Sequence, residues 1–108
     1  VSKSDIISVN TTYDKKKLLN KKILKKIKKN MILINTSRSE LIDNNYLYKI
    51  LKNNKNIVAA LDVFDKEPYY GKFNKLSNVL LTPHIGGYAK EIRVLMEREA
   101  VKKIVSTF

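Results

Sequence analysis

Residues 31–62 read MILINTSRSELIDNNYLYKILKNNKNIVAALD and contain a complete strand, helix and strand pattern. Short apolar runs at residues 31–34 and 57–61 are typical of buried strands. Between them, Asp43 is a candidate N-cap for a helix with leucine and isoleucine along one side, which ends in the polar residues 52–56. Two strands joined by a helix predict a parallel βαβ unit.

The flanking sequence continues this alternation. Residues 5–9 (DIISV) and 79–81 (VLL) predict two further strands, and residues 89–105 predict a last helix. Residues 15–29 predict another amphipathic helix, with Asp14 as N-cap, because leucine and isoleucine recur at helical spacing among lysines. The predicted fold class is therefore α/β, with four short parallel strands and helices covering both faces of the sheet.

The charge of the chain is concentrated in one segment. Lys plus Arg is 22 and Asp plus Glu is 10, giving a formal net charge of +12, and nine of the lysines lie within residues 15–29. A basic excess can indicate nucleic acid or an anionic membrane as partner. The basic segment has no aromatic residue to stack on bases, however, and Arg38 is the one arginine in the first half of the chain. Nucleic-acid binding is therefore disfavoured.

Several function classes are excluded by composition. The 108 residues include no cysteine and a single histidine, His84, so disulfide scaffolds, thiolate chemistry and His-rich metal centres are not expected. No apolar run approaches the roughly 20 residues that span a bilayer, and the first residues do not resemble a secretory signal. The expected compartment is the cytoplasm. Because the chain starts at Val1 rather than Met, we expect it to be a piece of a longer protein.

The reactive side chains follow the predicted strands. Polar residues occupy positions 10–12 after the first strand, 35–38 after the second, 62 after the third and 82–87 after the fourth, and residues 64–78 form a long predicted loop. In an open parallel sheet, ligands bind beyond the carboxyl ends of the strands. A histidine beside a carboxylate is a proton-transfer pair, and an arginine suits a substrate carboxylate. The pattern predicts an acid/base site that holds a carboxylate, without naming the reaction.

Three stretches of the sequence resemble those of a known protein family. INTSRSELID, AALDVFDKEP and NVLLTPHIGG, in this order and spacing, resemble the second half of the cofactor domain of the D-2-hydroxyacid dehydrogenases, and the last resembles the 3-phosphoglycerate dehydrogenases among them. DIISVNTT is similar to the family's preceding strand. The resemblance implies a Rossmann-like half-domain, in which residues 1–108 are the C-terminal half of a dinucleotide-binding domain without its glycine-rich first half or substrate domain.

The resemblance also implies a reaction and partners. The expected activity of the parent protein is NAD-dependent hydride transfer between nicotinamide and a D-2-hydroxy acid or the matching 2-oxo acid, with 3-phosphoglycerate as an example. A homodimer or higher homo-oligomer is expected for the full-length parent. No metal is expected, and no membrane partner.

Site residues are implied one by one by the same motifs. Arg38 would bind the substrate carboxylate, His84 would exchange the hydroxyl proton, and Glu67 would orient His84. Asp62 resembles the family's contact to the nicotinamide carboxamide. The further cofactor contacts implied by the resemblance are Thr11, Thr36, Ser37, Gly86 and Gly87, with Arg38 and His84 also beside the cofactor.

The chain departs from the family pattern in three places, one of which is Thr12, where the family usually has a proline after the first strand. Ser39 stands where the family commonly has glycine, and a serine would be strained if that position required a positive φ. No G-x-G-x-x-G occurs, so we expect the chain alone to bind NAD poorly and to show no measurable turnover. The alternatives are an inactive truncated relative that acts as an interaction module and, less favoured, a basic nucleic-acid-binding module.

Overall fold

A computed structural model describes residues 1–107 of the chain. Four parallel strands form one sheet in the order β1-β2-β3-β4. The strands are β1 Ile6–Val9, β2 Ile32–Asn35, β3 Val58–Leu61 and β4 Val79–Leu81, and the helices are α1 Lys21–Leu24, α2 Asn44–Asn53 and α3 Lys90–Thr107. The α/β prediction is confirmed, and each strand bound lies within one residue of the predicted one.

Helix α2 forms as the sequence predicts. The Asp43 carboxylate accepts a hydrogen bond from the Tyr46 N–H at 3.0 Å, which satisfies one of the free amides of the first turn. Leu47 and Leu51 are buried on the side that faces the core. The helix ends at Asn53, before the chain becomes extended at Asn54.

The lysine-rich segment differs from the prediction. Of residues 15–29, only the turn Lys21–Leu24 is an α-helix. Its N-cap is Asn20, whose side-chain oxygen accepts the Ile23 N–H at 3.1 Å, so the prediction of Asp14 as N-cap is wrong.

The backbone at Leu19 explains this difference. Its N–H donates to the Leu41 carbonyl at 2.9 Å, and its carbonyl accepts the Asp43 N–H at 3.0 Å. Leu19 is thus held extended beside a distant segment, and a helix cannot run through it. A continuous helix would also place like charges one turn apart, which disfavours helix formation.

The sheet is covered on one face, so the prediction of two covered faces is wrong for the described residues. Leu33, Ala59 and Leu61 are buried on the side of α1 and α2. On the opposite face Ile6 and Leu80 are 60% and 63% exposed. Because α1 and α2 each join neighbouring parallel strands in sequence order, crossovers of one hand place both on the same side.

Helix α3 lies outside this core. It covers nearly the predicted range, but none of its described residues is buried. In the part of the chain that the structure describes, no helix has the length and apolar character needed to cross a membrane.

The predicted loop between β3 and β4 is packed rather than open. The rings of Phe64 and Tyr69 stack with centroids 4.2 Å apart, and the Tyr69 hydroxyl accepts the Phe73 N–H at 3.1 Å. A short 3-10 turn, Lys72–Lys75, follows. This packing anchors the loop on both sides of Glu67.

Candidate active site

The four strands end at the same edge of the sheet. Val9, Asn35, Leu61 and Leu81 are partners across the sheet, and each is the last residue of its strand. The segments that carry the predicted site residues all leave the sheet from this edge. Register alone therefore gathers side chains from four separate parts of the sequence.

Glu67 and His84 form a direct contact. His84 Nδ1 lies 2.8 Å from Glu67 Oε2, and Glu67 Oε1 accepts the Phe64 N–H at 3.0 Å. The hydrogen bond from His84 is the main reason that the pKa of Glu67 lies below its usual range, and the Phe64 N–H adds to the effect. Glu67 is therefore a stable anion at neutral pH, placed to hold the imidazole in one orientation.

His84 has an unusual backbone conformation. Its φ is 55°, in the left-handed region that residues other than glycine rarely adopt. Its N–H donates to the Thr82 carbonyl at 3.1 Å, which closes a tight turn. The chain therefore reverses sharply at the histidine.

A buried carboxylate lies beneath this turn. Asp62 is 4% exposed, and its Oδ1 accepts the Thr82 hydroxyl at 2.6 Å and the Ile85 N–H at 3.0 Å. Its Oδ2 accepts the Gly86 N–H at 2.9 Å. Burial by itself raises the pKa of Asp62, but these hydrogen bonds and the nearby His84 charge together hold it below the usual value.

The turn that carries Arg38 is organised by Asn35. This side chain is 1% exposed; its Nδ2 donates to the Arg38 carbonyl at 2.9 Å and its Oδ1 accepts the Ser37 N–H at 3.1 Å. The Ser37 hydroxyl donates to the backbone carbonyl of Thr11. The sequence predicts Asn35 at this edge but indicates no role for it; the available signal is an amide side chain at the end of an apolar strand.

Arg38 and His84 line different cavities. His84, Glu67 and Gly87 line one of about 340 Å³, and Arg38 and Ser37 line another of about 540 Å³ together with residues 10–13. The structure thus brings Glu67 and His84 together and places Arg38 with the loop after β1. Among the remaining predicted residues, Thr11 lines the Arg38 cavity. Thr36 is exposed and directly precedes Ser37, which lines the same cavity.

Ser39 is accommodated without backbone strain. Within residues 1–107, the non-glycine residues with positive φ are Lys15 and His84. The buried Ser39 hydroxyl donates to the Asp65 carboxylate at 2.7 Å and accepts from Asn44 Nδ2 at 2.8 Å. The strain considered from sequence is therefore absent, and the serine links the turn to the loop after β3.

Comparison with known proteins decides the family. Residues 1–86 match the sequence model of a protein family, the NAD binding domain of the D-isomer specific 2-hydroxyacid dehydrogenases. The chain belongs to this family. The resemblance found in the sequence motifs is thereby confirmed.

The relatives of this dehydrogenase-family chain are named for different activities. It is 41% identical over 109 residues to a glyoxylate reductase of Thermococcus litoralis, covering 98% of the chain and 33% of that protein. It is 46% identical over 101 residues to an erythronate-4-phosphate dehydrogenase of Wigglesworthia glossinidia brevipalpis, covering 87% and 26%. The chain spans about a third or less of the length of these relatives.

A solved structure shares the fold. An acyclic imino acid reductase in complex with NADPH and D-Arg superposes with a TM-score of 0.83 at 38% identity, covering 98% of this chain and 35% of that one. The similarity extends over nearly all of the chain, including the segments that form the site.

Proposed function

We propose that this chain supplies the acid/base side of an NAD-dependent D-2-hydroxyacid dehydrogenase, which interconverts a 2-hydroxy acid and the corresponding 2-oxo acid. The observation that carries the proposal is the 2.8 Å contact between His84 and Glu67 at the carboxyl edge of the sheet. Membership of the family supports the same reaction class.

His84 acts as the proton carrier. Its Nδ1 faces Glu67, so Nε2 is the ring nitrogen available to a substrate. In the oxidative direction Nε2 takes the hydroxyl proton, and the anionic Glu67 stabilises the imidazolium that forms. In the reductive direction the same nitrogen returns that proton to the oxygen at C2. A nicotinamide, when bound, supplies the hydride acceptor or donor.

Arg38 binds the substrate carboxylate. One of its terminal nitrogens donates to the Ser37 carbonyl at 2.7 Å, which leaves the other N–H groups of the guanidinium for an anion. The side chain is exposed at the cavity after β1 and β2. A guanidinium at this position also polarises the neighbouring substrate oxygen.

The residues at this edge fit the nicotinamide end of a cofactor. At Gly87 an added Cβ would meet no atom within 4 Å, so the backbone there is open to a flat ring. Asp62 Oδ2 accepts one hydrogen bond and has capacity for a carboxamide donor. Thr11, Thr36, Ser37 and Gly86 would complete the contacts. The chain has no G-x-G-x-x-G, so the proposal covers the nicotinamide end only.

The substrate class is a short 2-hydroxy or 2-oxo acid. Glyoxylate and erythronate-4-phosphate, named for two relatives, both carry a carboxylate that an arginine can bind. 3-Phosphoglycerate, NAD rather than NADP, a homo-oligomeric parent and a cytoplasmic location stay predictions.

A chimera tests the proposal. Residues 1–108 replace the matched segment of the Thermococcus litoralis glyoxylate reductase, and NADH-dependent reduction of glyoxylate is measured. We expect turnover, and we expect His84→Gln to lower kcat by about 10²- to 10⁴-fold with little change in KM for NADH. Glu99→Gln, at an exposed position of α3, is the matched control. A chimera that binds NADH yet turns over equally well with Gln at position 84 would contradict the proposal.

A further inference from the structure

We infer that Asp62 is a positioning residue, which fixes His84 against Glu67 by binding the chain on both sides of the histidine. The inference rests on the proposed function, because that function makes the orientation of His84 matter. Asp62 itself needs to touch neither substrate nor His84 for this role.

The hydrogen bonds of Asp62 span the histidine. The Thr82 hydroxyl lies two residues before His84, and the Ile85 and Gly86 N–H groups lie one and two residues after it. All three donors come from the loop that follows β4, whereas Asp62 follows β3 directly. One carboxylate therefore fixes both ends of a five-residue segment centred on the imidazole.

The backbone at His84 needs such support. A left-handed conformation at a non-glycine residue is unfavourable and persists where the surrounding structure holds it in place. The side chains of Glu67 and His84 are themselves 35% and 48% exposed, so packing around the pair provides little constraint. Three bonds to buried Asp62 hold the segment in place, together with the Thr82 N–H, which donates to the Leu61 carbonyl at 3.1 Å.

The two glycines after His84 have different surroundings. A Cβ at Gly86 would lie 3.1 Å from Asp62 Oδ2, whereas a Cβ at Gly87 would meet nothing within 4 Å. Neither glycine has a positive φ, so alanine is compatible with the backbone at both. Close approach to the carboxylate is therefore specific to Gly86, and the pair provides a matched comparison.

The test is a titration of the Glu67 carboxyl by ¹³C NMR in the 108-residue chain, with the resonance assigned through Glu67→Gln. The contact with His84 is the main cause of the lowered pKa of Glu67, while the negative charge of Asp62 raises that pKa. If Asp62 acts only through its charge, Asp62→Asn lowers the Glu67 pKa further. If it positions His84, the same substitution raises the Glu67 pKa, because the contact with His84 is lost.

Uncharged changes give an independent result. Gly86→Ala is expected to raise the Glu67 pKa and Gly87→Ala to leave it unchanged; Thr82→Val, which removes one hydrogen bond, is expected to raise it by less than Asp62→Asn does. These variants decide the question even if Asp62→Asn fails to fold.

A downward shift in Asp62→Asn overturns the inference, as does an unchanged titration in Gly86→Ala. The readout involves no turnover, so an inactive chimera would defeat the proposed reaction while leaving this result standing.

Discussion

At the ends of β2 and β3, a buried polar side chain orders the segment that carries a candidate site residue, but the two side chains do so in different ways. Asn35, the last residue of β2, is buried and shapes the turn that carries Arg38; Asp62, the residue after β3, is buried and holds the loop that carries His84. The two are adjacent in the sheet, since the Asp62 N–H donates to the Asn35 carbonyl at 3.0 Å. One side chain is neutral and the other is charged.

The difference follows from what each group can bind. An amide donates and accepts, so Asn35 closes a turn within its own segment, between Ser37 and Arg38. An ionised carboxylate only accepts, and the three donors that Asp62 binds all lie in the loop after β4, so Asp62 ties that loop to β3. The neutral residue gives local order, and the charged one gives order across the chain.

Removing the charged residue should have the largest effect. Asp62→Leu leaves the Thr82 hydroxyl and two amide groups without their acceptor, at about 1 kcal/mol or more for each. We expect the free energy of unfolding to fall by about 3 kcal/mol in urea denaturation. Asp14→Leu, at an exposed position, is the control, and an equal small change in both variants would show that the hydrogen bonds to Asp62 contribute no stability.

Asn35→Leu should have a smaller and more local effect. It breaks two hydrogen bonds of one turn, and we expect a loss of about 2 kcal/mol. In amide NMR spectra the shifts should be confined to the segment around Ser37 and Arg38. Equally large shifts at Ile85 and Gly86 would remove the distinction between local and cross-chain order.

Removing a single hydroxyl should also destabilise the chain more at the Asp62 site than at the turn that Asn35 organises. Thr82→Val removes a donor to the buried Asp62 carboxylate and should destabilise by about 1.5 kcal/mol. Ser37→Ala removes a bond to a neutral backbone carbonyl at a half-buried position and should change stability by about 0.5 kcal/mol. The reverse order in thermal or urea unfolding would contradict the comparison.

Protonation of Asp62 and Glu67 at mildly acidic pH should have the smallest effect on the free energy of unfolding. The pKa values of Asp62 and Glu67 lie below their usual values in the folded chain, so their stabilisation is complete above the unfolded pKa, about 4, and is lost as pH falls through the folded one. Asp62→Asn should flatten this acid dependence, and Asn35→Leu should not. Parallel pH profiles for the two variants would contradict the assignment.

Sequence reasoning located features that depend on neighbours along the chain. The strands end within one residue of their predicted bounds, and Asp43 caps α2, because apolar runs and capping residues act locally. The helix predicted over residues 15–29 was wrong because Leu19 pairs with Leu41, far away in sequence. The uncovered sheet face depends on the side taken by each crossover, which strand patterns do not specify.

At the candidate site, too, the sequence predicts some contacts and not others. Family motifs predicted Glu67 beside His84, and the two are in contact. Asp62 accepts hydrogen bonds from the backbone N–H groups of Ile85 and Gly86, and because nearly every residue has a backbone N–H, the sequence does not indicate which ones bind. The geometry of these hydrogen bonds could be found only from the folded chain.

The central claim is that Glu67 and His84 work as one unit. The most direct measurement is the titration of the Glu67 carboxyl with and without the imidazole, using His84→Asn, which tolerates the left-handed backbone. We expect the pKa of Glu67 to lie below its usual value in the unmodified chain and to rise towards that value in the variant. Superimposable titration curves would contradict it.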